Sequence, residues 1–147
     1  MDFLRSGDDI MVRLDPGEEI HAAIQSLCAD LGVLGAALTS GIGRIRDIDI
    51  GFLDANGTYQ REVHAAPMEL ISCQGNVASL EESPFTHIHI SLSDDDHQMH
   101  GGHLFSGTVH ITAELHLRVL DSGGLMTRCS LADSEFKPLS FTPHDSD

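Results

Sequence analysis

Apolar positions recur every third or fourth residue in only one stretch of this chain; elsewhere they recur every second residue. Ile10 to Leu14 alternates apolar and polar residues, the pattern of a short strand. Asp15-Pro-Gly-Glu18 then reads as a helix start: Asp15 can cap, Pro16 suits the first helical position, and Glu18 has the spacing of a capping box. Ile20, Ile24, Leu27, Cys28 and Leu31 follow as one apolar stripe. Gly32 suits the left-handed residue that closes a helix.

From Leu34 onward the pattern is that of strands. Leu34 to Ser40 is small and apolar, and Ile45 to Phe52 alternates. Asp54-Ala-Asn-Gly57 is a hairpin signal from which Tyr59 to Val63 returns. Met68 to Ala78 is a further strand, with an interruption at Gly75. Phe85 to Leu92 turns at Asp94 to Asp96, and Met99 to Phe105 comes back. Thr108 to Val119 is the longest alternating run. It aims Val109, Ile111, Ala113, Leu115, Leu117 and Val119 one way, and His110, Thr112, Glu114, His116 and Arg118 the other. Leu125 to Ala132 is expected as a last strand, and the polar tail over 142–147 as frayed. The sum predicts an α+β fold: a mostly antiparallel β-sheet with an N-terminal helix packed on it. Residues 1–147 form a single domain with its core over about 10–139.

Charge narrows the function classes. The formal net charge is -15, from 23 acidic and 8 basic residues. Such a field repels phosphate backbones and anionic lipid, and there is no basic run to offset it. Direct nucleic-acid binding by the domain alone is therefore not expected. There is no Trp and only one Tyr, so stacking platforms for bases are scarce. Cys28, Cys73 and Cys129 lie in apolar stretches with no CxxC, the pattern of buried reduced thiols. The acidic N-terminus has no apolar signal-peptide core, and no apolar run approaches the roughly 18 residues of a membrane helix. A cytoplasmic location without membrane attachment is the expectation.

The chemically specific segment is Phe85-Thr-His-Ile-His-Ile-Ser-Leu-Ser93, followed by Gly101-Gly-His103. His87 and His89, two apart in a strand, share a face, with Cα atoms roughly 6.6 Å apart. Folding the hairpin about Asp96 sets His89 opposite His103, and opposed side chains share a face. Three imidazoles then converge, the ligand set of a catalytic-type zinc site with an open position. Zinc is the first choice of metal, with iron, manganese and nickel as alternatives. Gly101 and Gly102 beside the site allow the backbone to bend or another group to come close. Three strand histidines without a metal are the plainer alternative.

The other candidates carry less. His97 and His100 sit at or near the hairpin tip, and His100 should point away from His103. His110 and His116 lie on the polar face of the long strand, His21 on the polar side of the helix, and His64 and His144 in turn or tail. Asp94 to Asp96 lacks the EF-hand pattern and reads as a solvated turn. Gly41-Ile-Gly43 lacks the third glycine and following helix of a dinucleotide loop. Glu69 stands in an apolar strand, where a carboxylate needs a partner. It is either ion-paired with Arg44 or Arg46, or a carboxylate near the histidines acting as general base.

Six segments occur in order: Arg13-Leu-Asp-Pro-Gly-Glu-Glu19, Ser40-Gly-Ile-Gly-Arg44, Gly51-Phe-Leu-Asp54, Met68-Glu-Leu-Ile-Ser72, His87-Ile-His-Ile-Ser-Leu92 and Gly101-Gly-His-Leu104. Together they resemble the PPC domain, the "plants and prokaryotes conserved" family, over roughly Ile10 to Leu139. The resemblance implies an α/β fold with a mostly antiparallel sheet, assembled as a homotrimer. It implies that prokaryotic members can hold a metal with histidines matching His87, His89 and His103. Plant members join this domain to an AT-hook and bind nuclear DNA, whereas this chain has no Arg-Gly-Arg-Pro hook. The resemblance supplies no reaction or substrate. The combined expectation is a trimeric, metal-binding cytoplasmic domain that binds or acts on a small ligand, with Glu69 assisting if it is an enzyme. The alternative is a non-catalytic oligomerisation or regulatory module working through a DNA-binding partner.

Overall fold

The computed structural model describes residues 1–132 and 135–143. In chain order its elements are β1 (Asp2–Ser6), β2 (Asp9–Leu14), α1 (Ile20–Asp30), β3 (Ala36–Leu53), β4 (Tyr59–His64), β5 (Met68–Leu80), β6 (Ser83–Ser93), β7 (Met99–Val119), β8 (Gly124–Arg128) and β9 (Leu139–Pro143). The main path of the sheet runs β1-β2-β7-β3-β5-β8-β9. Every strand pairing is antiparallel except the short parallel contact of β5 with β8. Strand β6 pairs with both β5 and β7, so β3, β5, β6 and β7 form a closed circuit of ladders. Among the described residues, no helix is long and apolar enough to cross a membrane.

One core cluster takes in the inward positions of these strands together with Ile20, Ala23, Ile24, Leu27 and Cys28 of α1. The helix starts later than its sequence predicts. Pro16 and Gly17 form a turn, with Gly17 at φ +91° and its N–H donating to the Val109 carbonyl. Glu19 is the cap, accepting from Ala22 N at 2.8 Å, while Asp15 instead holds the N-terminal ammonium and Arg13. Gly32 does take the left-handed conformation, at φ +66°.

Several expected strands merge or are new. Met99–Phe105 and Thr108–Val119 are one 21-residue strand, β7, which pairs with β6 at one end and β2 at the other. Leu34–Ser40 and Ile45–Phe52 likewise merge into β3, whose parity flips at Asp47 (φ +51°), so that Ile45 and Ile48 are both buried. That bulge was invisible to a strict period of two. Strands β1 and β9 were not anticipated; β9 reaches Pro143, so Thr142 belongs to a strand, while 144–147 of the expected tail, with His144, lie outside the described residues. The last predicted strand, Leu125 to Ala132, is shorter, ending at Arg128. Gly75 does not interrupt β5: a Cβ there would stand 2.0 Å from the His87 carbonyl oxygen, so glycine is what lets β6 lie against it. Cys28 and Cys73 are buried free thiols, pushed up to about 11 and about 12 by burial, whereas Cys129 is exposed.

Candidate metal centre

The β6–β7 hairpin has the register read from the sequence, with His89 directly opposite His103. Asp94 fixes that register: its carboxylate accepts from the backbone N–H groups of Asp96 and Gln98, at 3.0 and 2.8 Å. The same rung continues across the sheet, with Gly51 of β3 beside His103 and Gln74 of β5 beside His89. Two glycines make this crowding workable. A Cβ on Gly101 would meet the Ile90 carbonyl oxygen at 2.6 Å, and one on Gly102 would meet that of Gly51 at 2.7 Å.

The three rings form a nearly equilateral triangle. Their centroids are 5.2 Å apart for His87–His89, 4.9 Å for His87–His103 and 5.3 Å for His89–His103. One nitrogen from each lies within 4.8 Å of the other two. Three nitrogens that each stood about 2.0–2.1 Å from a tetrahedral zinc would be somewhat closer, so small ring rotations close the site.

Proton affinity and hydrogen bonding both favour a metal. His87 is pushed down to about 4, first by burial and then by the Arg128 charge beside it. His103 is pushed down to about 4 by burial and by the neighbouring imidazoles. Both rings are therefore neutral at physiological pH, with a lone pair to offer. The Nδ1 of His103 is buried and has no hydrogen-bond partner, while its ring stacks on Tyr59 (5.1 Å) and meets Phe105 edge-on (4.7 Å). A buried ring nitrogen without a partner is what a ligand position looks like before the ion arrives. Guanidinium only donates, so Arg128, 3.2 Å from His87 Nδ1, finds an acceptor there, and a metal at that nitrogen would displace it.

A cavity of about 540 Å³ opens beside His87 and His103. The helix contributes His21 and Gln25, the β6–β7 pair Phe85, Thr86 and Phe105, and β4 Tyr59 and Arg61. The far wall is Arg128 with Glu135, Phe136 and Lys137. His21, on the polar side of α1, is tied to β6 and β7, with Nδ1 2.7 Å from Thr86 Oγ1 and Nε2 3.0 Å from the Leu104 carbonyl oxygen. Gln25 donates to the same hydroxyl, so the Thr86 hydroxyl donates a hydrogen bond to His21 Nδ1 and His21 Nε2–H donates to the Leu104 carbonyl. Burial lowers the His21 proton affinity in keeping with this neutral tautomer.

The remaining candidates lie elsewhere. Glu69 pairs with Arg44 at 2.7 Å, is half exposed, and sits opposite Ser93, four positions along β6 from His89, so the structure does not bring it to the histidines. His100 bonds Asp94 and packs against His64, at 4.9 Å between centroids. His116 bonds Thr39 and Asp9, and His110 is exposed. The sequence does not single out Arg128, at the end of β8, or Glu135 to Lys137, which lie outside the strands and carry no periodic signal.

Three convergent imidazoles at the mouth of a pocket on a small, mostly antiparallel sheet describe a kind of domain that comparison can place. A family model, the Plants and Prokaryotes Conserved (PCC) domain, matches residues 1–121, and the chain belongs to that family. A plant- and prokaryote-conserved protein of Pyrococcus horikoshii is similar over 89% of this chain and 88% of its own, at 29% identity and a TM-score of 0.77. A metal-containing protein of Archaeoglobus fulgidus is similar over 93% and 95%, at 29% identity and a TM-score of 0.79. A candidate DNA-binding protein of Bacteroides thetaiotaomicron shares the fold over 95% and 96%, at 23% identity and a TM-score of 0.86. No curated protein matches the chain.

Proposed function

We propose that this domain is a metal-binding module in which His87, His89 and His103 hold a divalent ion, zinc by first choice, and present it to a small ligand in the adjoining cavity. The observation that carries this reading is the triangle of ring nitrogens within 4.8 Å of one another, with a buried His103 nitrogen that has no other partner. The metal content of the Archaeoglobus relative supports it. With three protein ligands, zinc keeps an open position and supplies Lewis-acid activation of a bound oxygen. The chain's own contribution is to keep His87 and His103 neutral, to hold His103 between Tyr59 and Phe105, and to wall the cavity with aromatic rings.

The module works as a homotrimer in this reading. Ile42, Ile71 and Ile111, from the neighbouring strands β3, β5 and β7, are 57%, 50% and 59% exposed and share one depression. Ile111 belongs by parity to the buried set, but it lies in a bulge of β7, where His110 to Thr112 oppose Arg44 alone, and it turns outward. Isoleucines clustered in the open on a sheet mark an interface better than a solvent face. Duplex DNA is not a direct partner, because a net charge of -15 opposes the counterion release on which such binding depends.

Protein made without an affinity tag, analysed for metals before and after zinc reconstitution, tests the site. One tightly held ion per chain is the expected result, and a chain that takes up no metal after reconstitution removes the reading. Light scattering tests the assembly: a threefold mass is expected for the wild type and a fall in mass for Ile111→Asp. A monomeric wild type at micromolar concentration ends the trimer proposal.

A further inference from the structure

Among the described residues of a chain with 23 acidic side chains, the buried cation Arg128 has no carboxylate partner. Arg128 is 7% exposed. Its guanidinium donates to the Lys137 carbonyl, to Asn76 Oδ1 at 2.8 Å and to His87 Nδ1 at 3.2 Å, all neutral acceptors. Its Nε is buried with no partner, and among the described residues no carboxylate lies within ion-pairing distance. A buried charge compensated only by neutral dipoles is costly unless a counterion joins it.

The surroundings share that sign. Three of the chain's eight cationic side chains, Arg61, Arg128 and Lys137, line this one cavity, and among the described residues one carboxylate, Glu135, lines it with them. Three minus one gives +2, or +1 once Asp49, which pairs with Arg61, is counted, inside a molecule of net -15. Low-dielectric walls focus such a field on the cavity. Those walls are also aromatic. Arg61 caps the Phe105 ring at 4.0 Å and Lys137 lies 5.6 Å over the Phe85 ring, so the apolar faces and the cations occupy the same space.

We infer that the cavity takes a small organic acid, its carboxylate against Arg128 and Lys137 and a flat apolar body against the aromatic lining of Tyr59, Phe85 and Phe105, beside the three histidines. The carboxylate supplies a counterion that none of the described residues gives Arg128, and guanidinium is the side chain best suited to it. Inorganic phosphate shares the charge but gives the rings nothing to hold, which decides between the two anions. The inference rests on the proposed metal site only for what the acid lies beside, and its test is read on metal-free protein, so the two can fail separately.

The probes are benzoate, neutral benzamide of the same shape, and inorganic phosphate, titrated calorimetrically into chelator-treated full-length protein. Benzoate should bind at least tenfold more tightly than benzamide or phosphate. Arg128→Met, which keeps the length and loses the charge, should weaken benzoate at least tenfold, and Lys137→Ala, at the rim, severalfold. Raising the salt concentration should weaken benzoate and leave benzamide unchanged. Equal binding of benzoate and benzamide, tighter binding of phosphate than of benzoate, or no benzoate binding to folded wild type would each overturn the assignment. Should Arg128→Met not fold, the benzamide comparison and Lys137→Ala decide the matter.

Discussion

The two walls of the cavity are built in opposite ways. The histidine wall comes from one hairpin, so residues 87, 89 and 103 meet through local pairing and a turn that Asp94 locks. The facing wall joins Arg128, at the end of β8, to the irregular stretch carrying Glu135 and Lys137; β8 itself touches the main sheet through one parallel bridge, Ser79 to Thr127. A ladder fixes side-chain positions to the residue, whereas a wall held by a few long-range hydrogen bonds can shift as a ligand arrives. The histidine side is therefore suited to coordination geometry, and the Arg128 side to adaptation and charge.

The largest effect expected is on the rigid wall. His103→Ala should abolish stoichiometric metal binding, because two remaining imidazoles on one strand leave the third position empty. The substitution also removes a ring between Tyr59 and Phe105 and should cost about 1–2 kcal/mol of stability without metal. His110→Ala, on the same strand but exposed, should retain full metal and stay within about 0.5 kcal/mol. Elemental analysis and chelator-dependent melting of both variants test the hairpin register. Full metal content in His103→Ala would mean that the hairpin is not what makes the site.

The same contrast explains what could be read in advance. The metal wall was legible because alternation fixes which residues share a face, and a hairpin centre fixes which residues oppose. That arithmetic placed His89 against His103, where the structure has it. It fails at bulges. One extra residue of β3 around Asp47 shifts the parity and puts Ile48 inside, two extra residues of β7 opposite Arg44 put Ile111 outside, and nothing in the composition of those segments marks a bulge. His21 flanks the apolar stripe of α1, where a helical wheel alone cannot tell solvent from a neighbouring strand. Arg128 is unreadable for a different reason: its significance lies in being buried among neutral acceptors, with no carboxylate partner among the described residues, and only a folded structure can show that.

Acidification should sharpen the comparison by acting on the histidine wall. His87 and His103 fall from the ordinary histidine value of 6.5 to about 4 on folding. The unfolded chain therefore takes up protons below pH 6.5 that the folded chain refuses until about pH 4. Stability rises with pH wherever the unfolded state binds more protons, so these two groups make the metal-free protein lose stability as pH drops from about 6.5 to about 4. Below that window the loss levels off. An unperturbed histidine competes with a metal for protons below about 6.5; in the folded protein, proton competition at His87 and His103 is delayed to lower pH. Melting temperature against pH should show the acid slope in the wild type and a flatter one in the double variant His87→Ala, His103→Ala. Equal slopes in the two proteins would refute this origin.

The smallest effect is expected at Glu69, and its smallness is informative. Arg44 holds this carboxylate at 2.7 Å and a second one, Asp95, at 2.9 Å, in a cluster next to the exposed isoleucines and away from the ligand cavity. A half-exposed ion pair contributes little, because solvent and salt screen it. Glu69→Gln keeps the shape and one acceptor, so it should leave the metal content and benzoate binding of the isolated domain unchanged, with a melting shift of no more than a few degrees. A general base or a carboxylate supporting a metal-bound histidine could not be replaced so quietly, since losing such a partner typically costs ten- to a hundredfold in metal affinity. Zinc affinity by competition with a chelator, compared for Glu69→Gln and wild type, separates the two roles. A tenfold loss would place Glu69 in the working site despite its distance along β5. An unchanged value together with a lower assembled mass would assign the Arg44–Glu69 pair to the contact between subunits.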